Sequence, residues 1–539
     1  MSWRRMRKWL LPEERGVSGF EGDTDRRLIP RWRFSRDYGG SAEFHGDPRR
    51  RKRFEPELAY LDERLACWNS SRNIATAADA VACGLTYDLH GAVREPAEYL
   101  LEQGDRAMPG VARMAEVVLQ SGTAPDDKQS SLPLASTVAP KSQATAVIRE
   151  KRAQLRRYPR NSLAHIDMAR GYAILGQTRQ ATDSLRQALR LSPDHRIALR
   201  LASRFLVHAD EAERAHDLLR KHPRTKTDPW LLAAEIAIAA VAGRESSLMK
   251  RGLEMLKQGS LPPEHLTELQ SAVATQLLTD GRTKVARQTF ANSLERPTEN
   301  TVAQAHWARR HLKSLAVSEE HLSIHRGFEA RSWRAMEMGE WQAARGEVTH
   351  WQLDEPFSSR PASLGSYLGI TLLGDYDFAL QCADIGLMAE PEDSTLLNNK
   401  AVALAYSGEI SDAITTFKSI SSIGGPSHPQ YVHTATAGLL NFRAGFVDEG
   451  REHYRRARDL APAKSKGRVI LHWAGEESRL QSDDAPELRK MALEYLEKDK
   501  VPGKEQMERV LLNPNIQTSP ISIDGADNRL PTIYIPTID

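Results

Sequence analysis

Long hydrophobic runs are missing from this 539-residue chain. No eighteen consecutive apolar residues occur, which argues against a membrane-spanning helix. Cysteine is nearly absent. Cys67, Cys83 and Cys382 have neither the spacing of a disulfide framework nor that of a zinc site. They fit a reducing compartment and small buried side chains. The basic start, Met1 to Pro12, has no apolar stretch long enough for a secretory signal, so the cytoplasm is the expected location. Signatures of chemistry are missing too. There is no Gly-x-x-x-x-Gly-Lys-Ser/Thr phosphate loop, no Gly-x-Gly-x-x-Gly, no nucleophile elbow and no His-Glu-x-x-His. No cofactor or metal is implied. The formal net charge of +3 gives no global field that would select one class of partner.

What the chain does have is a repeat with a period of about 34 residues. In Ser162–His195, Ala169 and Tyr172 lie on one predicted helix and Gly176 marks a turn. Ala181, Leu185 and Ala188 lie on a second helix, and Pro193 closes the unit. The order recurs as Gly281, Ala286, Phe290 and Pro297, then as Gly339, Ala344, Val348, Trp351 and Pro356. It recurs again as Gly374, Ala379, Ala383 and Pro391, as Gly408, Ala413 and Phe417, and as Gly445, Tyr454, Ala457 and Pro462. Small residues let two helices approach, glycine permits a left-handed turn, and proline ends the second helix. Decayed copies are expected around 196–222 and 229–257.

This pattern resembles the tetratricopeptide repeat (TPR), whose unit is a pair of antiparallel helices. The fold class expected is all-α: an α-solenoid of TPR-like helical hairpins, with a mixed basic N-terminal arm and a small helical region. Six segments follow. They are a basic, partly disordered arm at 1–55, a helical region at 56–120 and a Ser/Thr/Pro-containing linker at 121–145. A TPR-like array with degenerate repeats spans 146–324, an array with capping helices spans 325–500, and an extended tail spans 501–539.

The resemblance implies that first helices line a peptide groove. Those positions are Glu329, Trp333 and Met336, then Leu364, Leu368 and Thr371, then Asn398, Val402 and Ala405, and finally Ala435, Leu439 and Phe442. A family variety grips a C-terminal carboxylate through Lys and Asn side chains. Asn399 matches its middle Asn, but Leu364, Leu368, Val432 and Thr436 occupy the neighbouring positions, so that clamp is not supported. His321 and His325 would share a helix face with Glu329, a pair short of a metal site.

The first 56 residues hold fifteen bases against nine acids. Arg31-Trp32-Arg33-Phe34 alternates basic and aromatic side chains, which suits a short strand with two faces. Clustered Arg49, Arg50, Arg51, Lys52 and Arg53 suit an anionic partner, and Trp32, Phe34 and Phe44 could stack on bases. The expected function is a non-enzymatic adaptor or scaffold that binds a protein or peptide in its groove. The alternatives are activity or a regulatory role seated in residues 1–120, and a nucleic-acid association through the arm. The tail, with Ile533, Tyr534 and Ile535, is a candidate to occupy the groove.

Overall fold

The structure, a computed structural model, describes residues 29–38, 42–43, 58–87, 90–120, 138–421 and 430–513. Those residues form α-helices joined by short turns, with no strand among them. Arg49–Arg53, Phe44 and the tail from 514 onward lie outside the described residues.

Two compact units divide the chain. One lies within Gly46–Ala135. Its helices are α1 (Leu58–Ser70), α2 (Ile74–Tyr87), α3 (Arg94–Glu102) and α4 (Pro109–Gln120). They enclose a core of Leu61, Trp68, Val81, Val93, Leu100 and Val118. Tyr99 meets Trp68 edge-on at 4.9 Å.

The other unit joins the arm residues to everything after Ser136. It opens with α5 (Val138–Arg157), so helix begins inside the stretch expected as linker. Successive hairpins follow: α6 (Ser162–Ile174) with α7 (Thr178–Leu191), α8 (Arg196–His208) with α9 (Ala212–Lys221), and α10 (Pro229–Val241) with α11 (Met249–Gln258). Then α12 (Pro263–Thr279) pairs with α13 (Thr283–Ser293). The rhythm breaks at α14 (Glu299–Ala308) and the one-turn α15 (Glu319–Leu322). It resumes with α16 (Phe328–Met338) and α17 (Trp341–Asp354), and with α18 (Ser359–Leu368) and α19 (Tyr376–Ala389). The last pairs are α20 (Ser394–Tyr406) with α21 (Ile410–Ser421), α22 (Gln430–Arg443) with α23 (Val447–Leu460), and α24 (Ala463–Arg479) with α25 (Ala485–Lys498).

Local chemistry starts these helices. Asn161, Asp228, Asp375 and Asp393 cap α6, α10, α19 and α20 by accepting from backbone N–H groups of the first turn. Thr298 and Thr301 form a reciprocal capping box on α14. The repeat's small positions are where helices touch: Ala169, Ala181, Ala188, Ala344, Ala379, Ala383, Ala413 and Ala457 have no exposed surface. Among the described residues the architecture of this unit is an all-α solenoid of helical hairpins.

The end of the array departs from expectation. Residues 504–511 form a helix, α26 (Lys504–Leu511), within the region expected to be extended. Gln506 donates to the carbonyl of Leu372 at 2.7 Å, in the π-helical turn that follows α18.

The first hairpin also meets a distant one. Gly176, at φ +67°, turns α6 into α7, and a Cβ there would lie 2.7 Å from the carbonyl oxygen of Met388 on α19. Gly408, at φ +87°, makes the equivalent turn in open space. Replacing Gly408 with alanine should therefore cost only the left-handed backbone penalty, about 1–2 kcal/mol. Gly176→Ala adds a clash with backbone and should cost distinctly more. Thermal melts of the two variants compare them, and equal losses would mean that the α7–α19 approach is not tight.

Candidate functional site

The first helices of the hairpins carry isolated charges on otherwise apolar faces: Asp167 and Arg170 on α6, Arg196 and Arg200 on α8, Glu268 on α12, Glu299 on α14 and Glu329 on α16. All but Glu299 are at least 95% buried. Burying an unpaired charge is expensive, so each needs a partner. Much of that partnering comes from Arg31 to Ser35 and Glu43 of the arm.

Alternate arm side chains go to opposite sides, as in an extended chain. Trp32 is wholly buried, with the rings of Phe205 at 5.9 Å and Phe357 at 5.4 Å, both edge-on. Phe34 lies under the guanidinium of Arg170, 4.1 Å from its ring centroid. Arg31 turns the other way. It donates through Nε to Asn300 Oδ1 at 2.6 Å, through Nη1 to Glu355 and through Nη2 to Glu329. Arg33 pairs with Glu299 at 2.6 Å and Asp354 at 2.9 Å. The main chain is read as well. Arg170 Nε donates to the Trp32 carbonyl at 2.7 Å, and Asp167 accepts from the Ser35 N–H at 2.6 Å and its hydroxyl at 2.7 Å.

Farther along, polarity reverses. Arg200, with no exposed surface, bridges Glu43 at 2.6 Å and Glu268 at 2.7 Å, and donates to the Trp230 carbonyl at 2.7 Å. Arg196 reaches the Glu43 carbonyl at 3.0 Å. Beside these residues lies a pocket of about 660 Å³, lined among others by Asp37, Glu43, Glu264, Glu295, Glu299 and Glu320.

The electrostatics follow from burial against pairing. Burial alone would raise the Glu355 carboxyl, but Arg31, with help from Arg204 and Arg360, outweighs it and holds the group at about 2. Burial likewise lifts Glu43 to about 7, with Arg200 opposing only part of the rise. Burial acts to lower the Arg31 pKa, yet Glu355 and Glu329 raise it, so the guanidinium stays charged.

The groove positions read from the repeat fall into two groups. Glu329 is buried under Arg31 and Arg360. Trp333 and Met336, one and two turns further along the same α16 face, are half-buried. Arg310 stacks on the Trp333 ring at 5.6 Å, and the indole N–H has no acceptor. Asn399, also half-buried, donates to Ser366 Oγ at 2.9 Å. By contrast, Leu364, Leu368 and Leu439 are at most 2% exposed, and Val402 and Phe442 share their core. Asn398 is buried and accepts from Thr436. These side chains pack helix on helix and do not line an open groove as they stand.

Two other expectations are corrected. Trp32 and Phe34 are inside the array, and Arg31 and Arg33 face carboxylates, so none of the four is placed to meet bases or phosphates. His321 caps its own one-turn helix with Ser318, and His325 lies beyond that helix, so the two do not share a stripe with Glu329.

No protein-family model matches the chain, and no curated protein is similar to it in sequence. Solved structures similar to it include yeast Tom70, at 11% identity over 81% of this chain and 94% of that one, with a TM-score of 0.28. The APC/C hetero-tetramer Cut9-Hcn1 matches at 13% identity over 85% and 94%, TM-score 0.28. A circular tandem repeat protein with novel repeat topology matches at 15% over 84% and 96%, TM-score 0.13. At these TM-scores the likenesses carry no argument, and the functional reading rests on the chain's own geometry.

Two substitutions test the arm's seating. Trp32→Ala should cost about 3–5 kcal/mol, the range for emptying a large aromatic site. Arg31→Ala takes one of two arginines from Glu329, leaving Arg360, and the main cation from Glu355, and should cost about 3 kcal/mol near neutrality. The pH dependence separates the two. The folded Glu355 value of about 2 lies below the ordinary 4.5, so its stabilising contribution is complete above about 4.5 and is lost as pH falls toward 2. The deficit of Arg31→Ala against wild type should therefore shrink on acidification, while that of Trp32→Ala stays level. Denaturant titrations at stepped pH measure both. Parallel curves for all three proteins would contradict the pairing.

Proposed function

We propose that this protein is a non-enzymatic, TPR-like adaptor that holds an extended protein segment against the first helices of its hairpins. The observation that carries the reading is the arm itself. Residues 29–38 and 42–43 lie against the hairpins with side chains and carbonyls both engaged, which is how a groove of this kind holds a peptide. The α16 stripe supports a second contact region. Trp333 presents part of a half-buried indole ring at the surface, and tryptophan is a side chain that suits a binding hot spot. The groove over 325–464 is thus narrowed to Trp333, Met336 and Asn399.

Partner capture tests this. The full chain is cross-linked in its native host and purified, then compared with Trp333→Ala and Met336→Ala, and with Arg179→Ala on the exposed face of α7 as control. Leu439 is a poor probe because its loss would disturb the core. We expect a specific partner whose capture falls about tenfold or more in the α16 variants, the scale of a hot-spot truncation. Equal capture by all variants would remove the first-helix face from the function.

A further inference from the structure

We infer that the channel holding the arm is a receptor for Arg-aromatic-Arg-aromatic segments of a partner protein, with Arg31-Trp32-Arg33-Phe34 as its resident competitor. The inference rests on the scaffold reading and names the chemistry of its ligand.

Three observations carry it. The first is connectivity. The arm is joined to the array only through residues 44–137, and most of that stretch belongs to a separate compact unit. Its seating therefore depends on non-covalent contacts, and leaving the channel breaks no hairpin.

The second is the convergence of carboxylates. Glu299 comes from α14, Glu329 from α16, and Asp354 and Glu355 from the end of α17. They meet around two guanidinium groups. Arg360 and Arg326 of the array reach Glu329 and Asp354, but Glu299 and Glu355 are met by the arm's guanidinium groups. Like charges gathered in a buried place repel unless a cation lies between them, so the channel favours a cationic ligand. A phosphorylated or acidic segment would meet the same carboxylates and be excluded.

The third is geometric selectivity. Arg31 uses Nε, Nη1 and Nη2 on three different acceptors, a planar fork that lysine cannot reproduce. Trp32 fills a site walled by Phe205 and Phe357, which sets the aromatic requirement at the next position. Arg170 fixes the backbone between them by donating to the Trp32 carbonyl. Beyond Arg33, Glu264, Glu268, Glu295, Glu299 and Glu320 of the array line the pocket and stay when the arm leaves, giving room for further basic residues of an incoming segment.

The test uses the full chain with a specific protease site inserted after Pro48. Cleavage leaves the arm in place without its covalent tether, and circular dichroism verifies that the helices persist. A fluorescent peptide of residues 28–45 is added, and its anisotropy follows exchange into the channel. Unrelated peptides that share only Arg-aromatic-Arg-aromatic should displace it. Peptides with lysine for the first arginine, or alanine for the first aromatic, should compete about tenfold or more weakly, as expected for losing charged hydrogen bonds or a buried ring.

No exchange after cleavage would make the arm a permanent staple and overturn the inference. So would competition that ignores the lysine and alanine changes. Concentration-dependent doubling of mass of the uncleaved chain, with no displacement by unrelated peptides after cleavage, would assign the channel to a second copy and overturn the inference. Failure of the peptide experiment, with partner capture still sensitive to Trp333, would remove this ligand class and leave the scaffold reading intact.

Discussion

A single buried guanidinium ties the arm to three successive helical elements far along the chain. Arg31 sits between Glu329 and Glu355, with Asn300 on its third side. Those acceptors belong to α14, α16 and the turn after α17, so their spacing is set by a residue about 270 positions or more away in sequence. Pairs of this kind contribute little net stability, because desolvation cancels most of the attraction. Their effect is discrimination. With the arginine present, the carboxylates can be close; with it absent, only Arg360 and Arg204 of the array offset their repulsion. The favourable free energy of seating comes instead from Trp32, whose burial among Phe205, Phe357 and the α6–α8 core contributes on the order of 4–6 kcal/mol.

Register follows from the same arrangement. Along the arm the order is cation, aromatic, cation, aromatic, and then the acid Glu43. In the array, acids receive Arg31 and Arg33, the rings of Phe205 and Phe357 receive Trp32, and Arg196 and Arg200 receive Glu43. A shift by one residue would put Trp32 among carboxylates and Arg31 against Phe357, so only one seating pairs every charge. Arg200 repeats the logic of Arg31 with opposite sign, lying between Glu43 and Glu268.

The hairpins were legible because their turns carry a geometric requirement that glycine meets. Gly176, Gly281, Gly339, Gly374, Gly408 and Gly445 all have positive φ, and the alanines following each turn are buried where helices touch. The hairpin of α8 and α9 was harder to read because Asp210 takes the left-handed position at φ 57°, a conformation that aspartate tolerates. Gln481 does the same between α24 and α25. The groove was less legible. Stepping i, i+4 along a first helix finds one face, but Leu364 and Leu368 show that on α18 this face packs against neighbouring hairpins. The alternation in Arg31–Phe34 was visible; its destination was not. Its partners lie on helices remote in sequence, and a lone Glu268 or Glu329 reads locally as a solvated charge. The useful signal was a single charge in the middle of an apolar first helix, repeated in several hairpins.

Net charge hides this organisation. The chain totals +3, yet residues 1–56 carry fifteen bases against nine acids, so the remainder is acidic overall. The two ends of that imbalance meet inside the molecule, where Arg31 and Arg33 pair with Glu299, Glu329, Asp354 and Glu355, and Arg360 and Arg326 of the array add the remaining positive charge. A basic arm with interleaved aromatics has the composition of a nucleic-acid contact, and composition alone does not separate the two cases. Burial does. An arginine that is to meet phosphate must keep its guanidinium in water until the ligand arrives, whereas Arg31 and Arg33 have left water for carboxylates of their own chain. The cationic character of the segment is thus a statement about the array that receives it, and the acidity of that array is what limits the ligands it can accept.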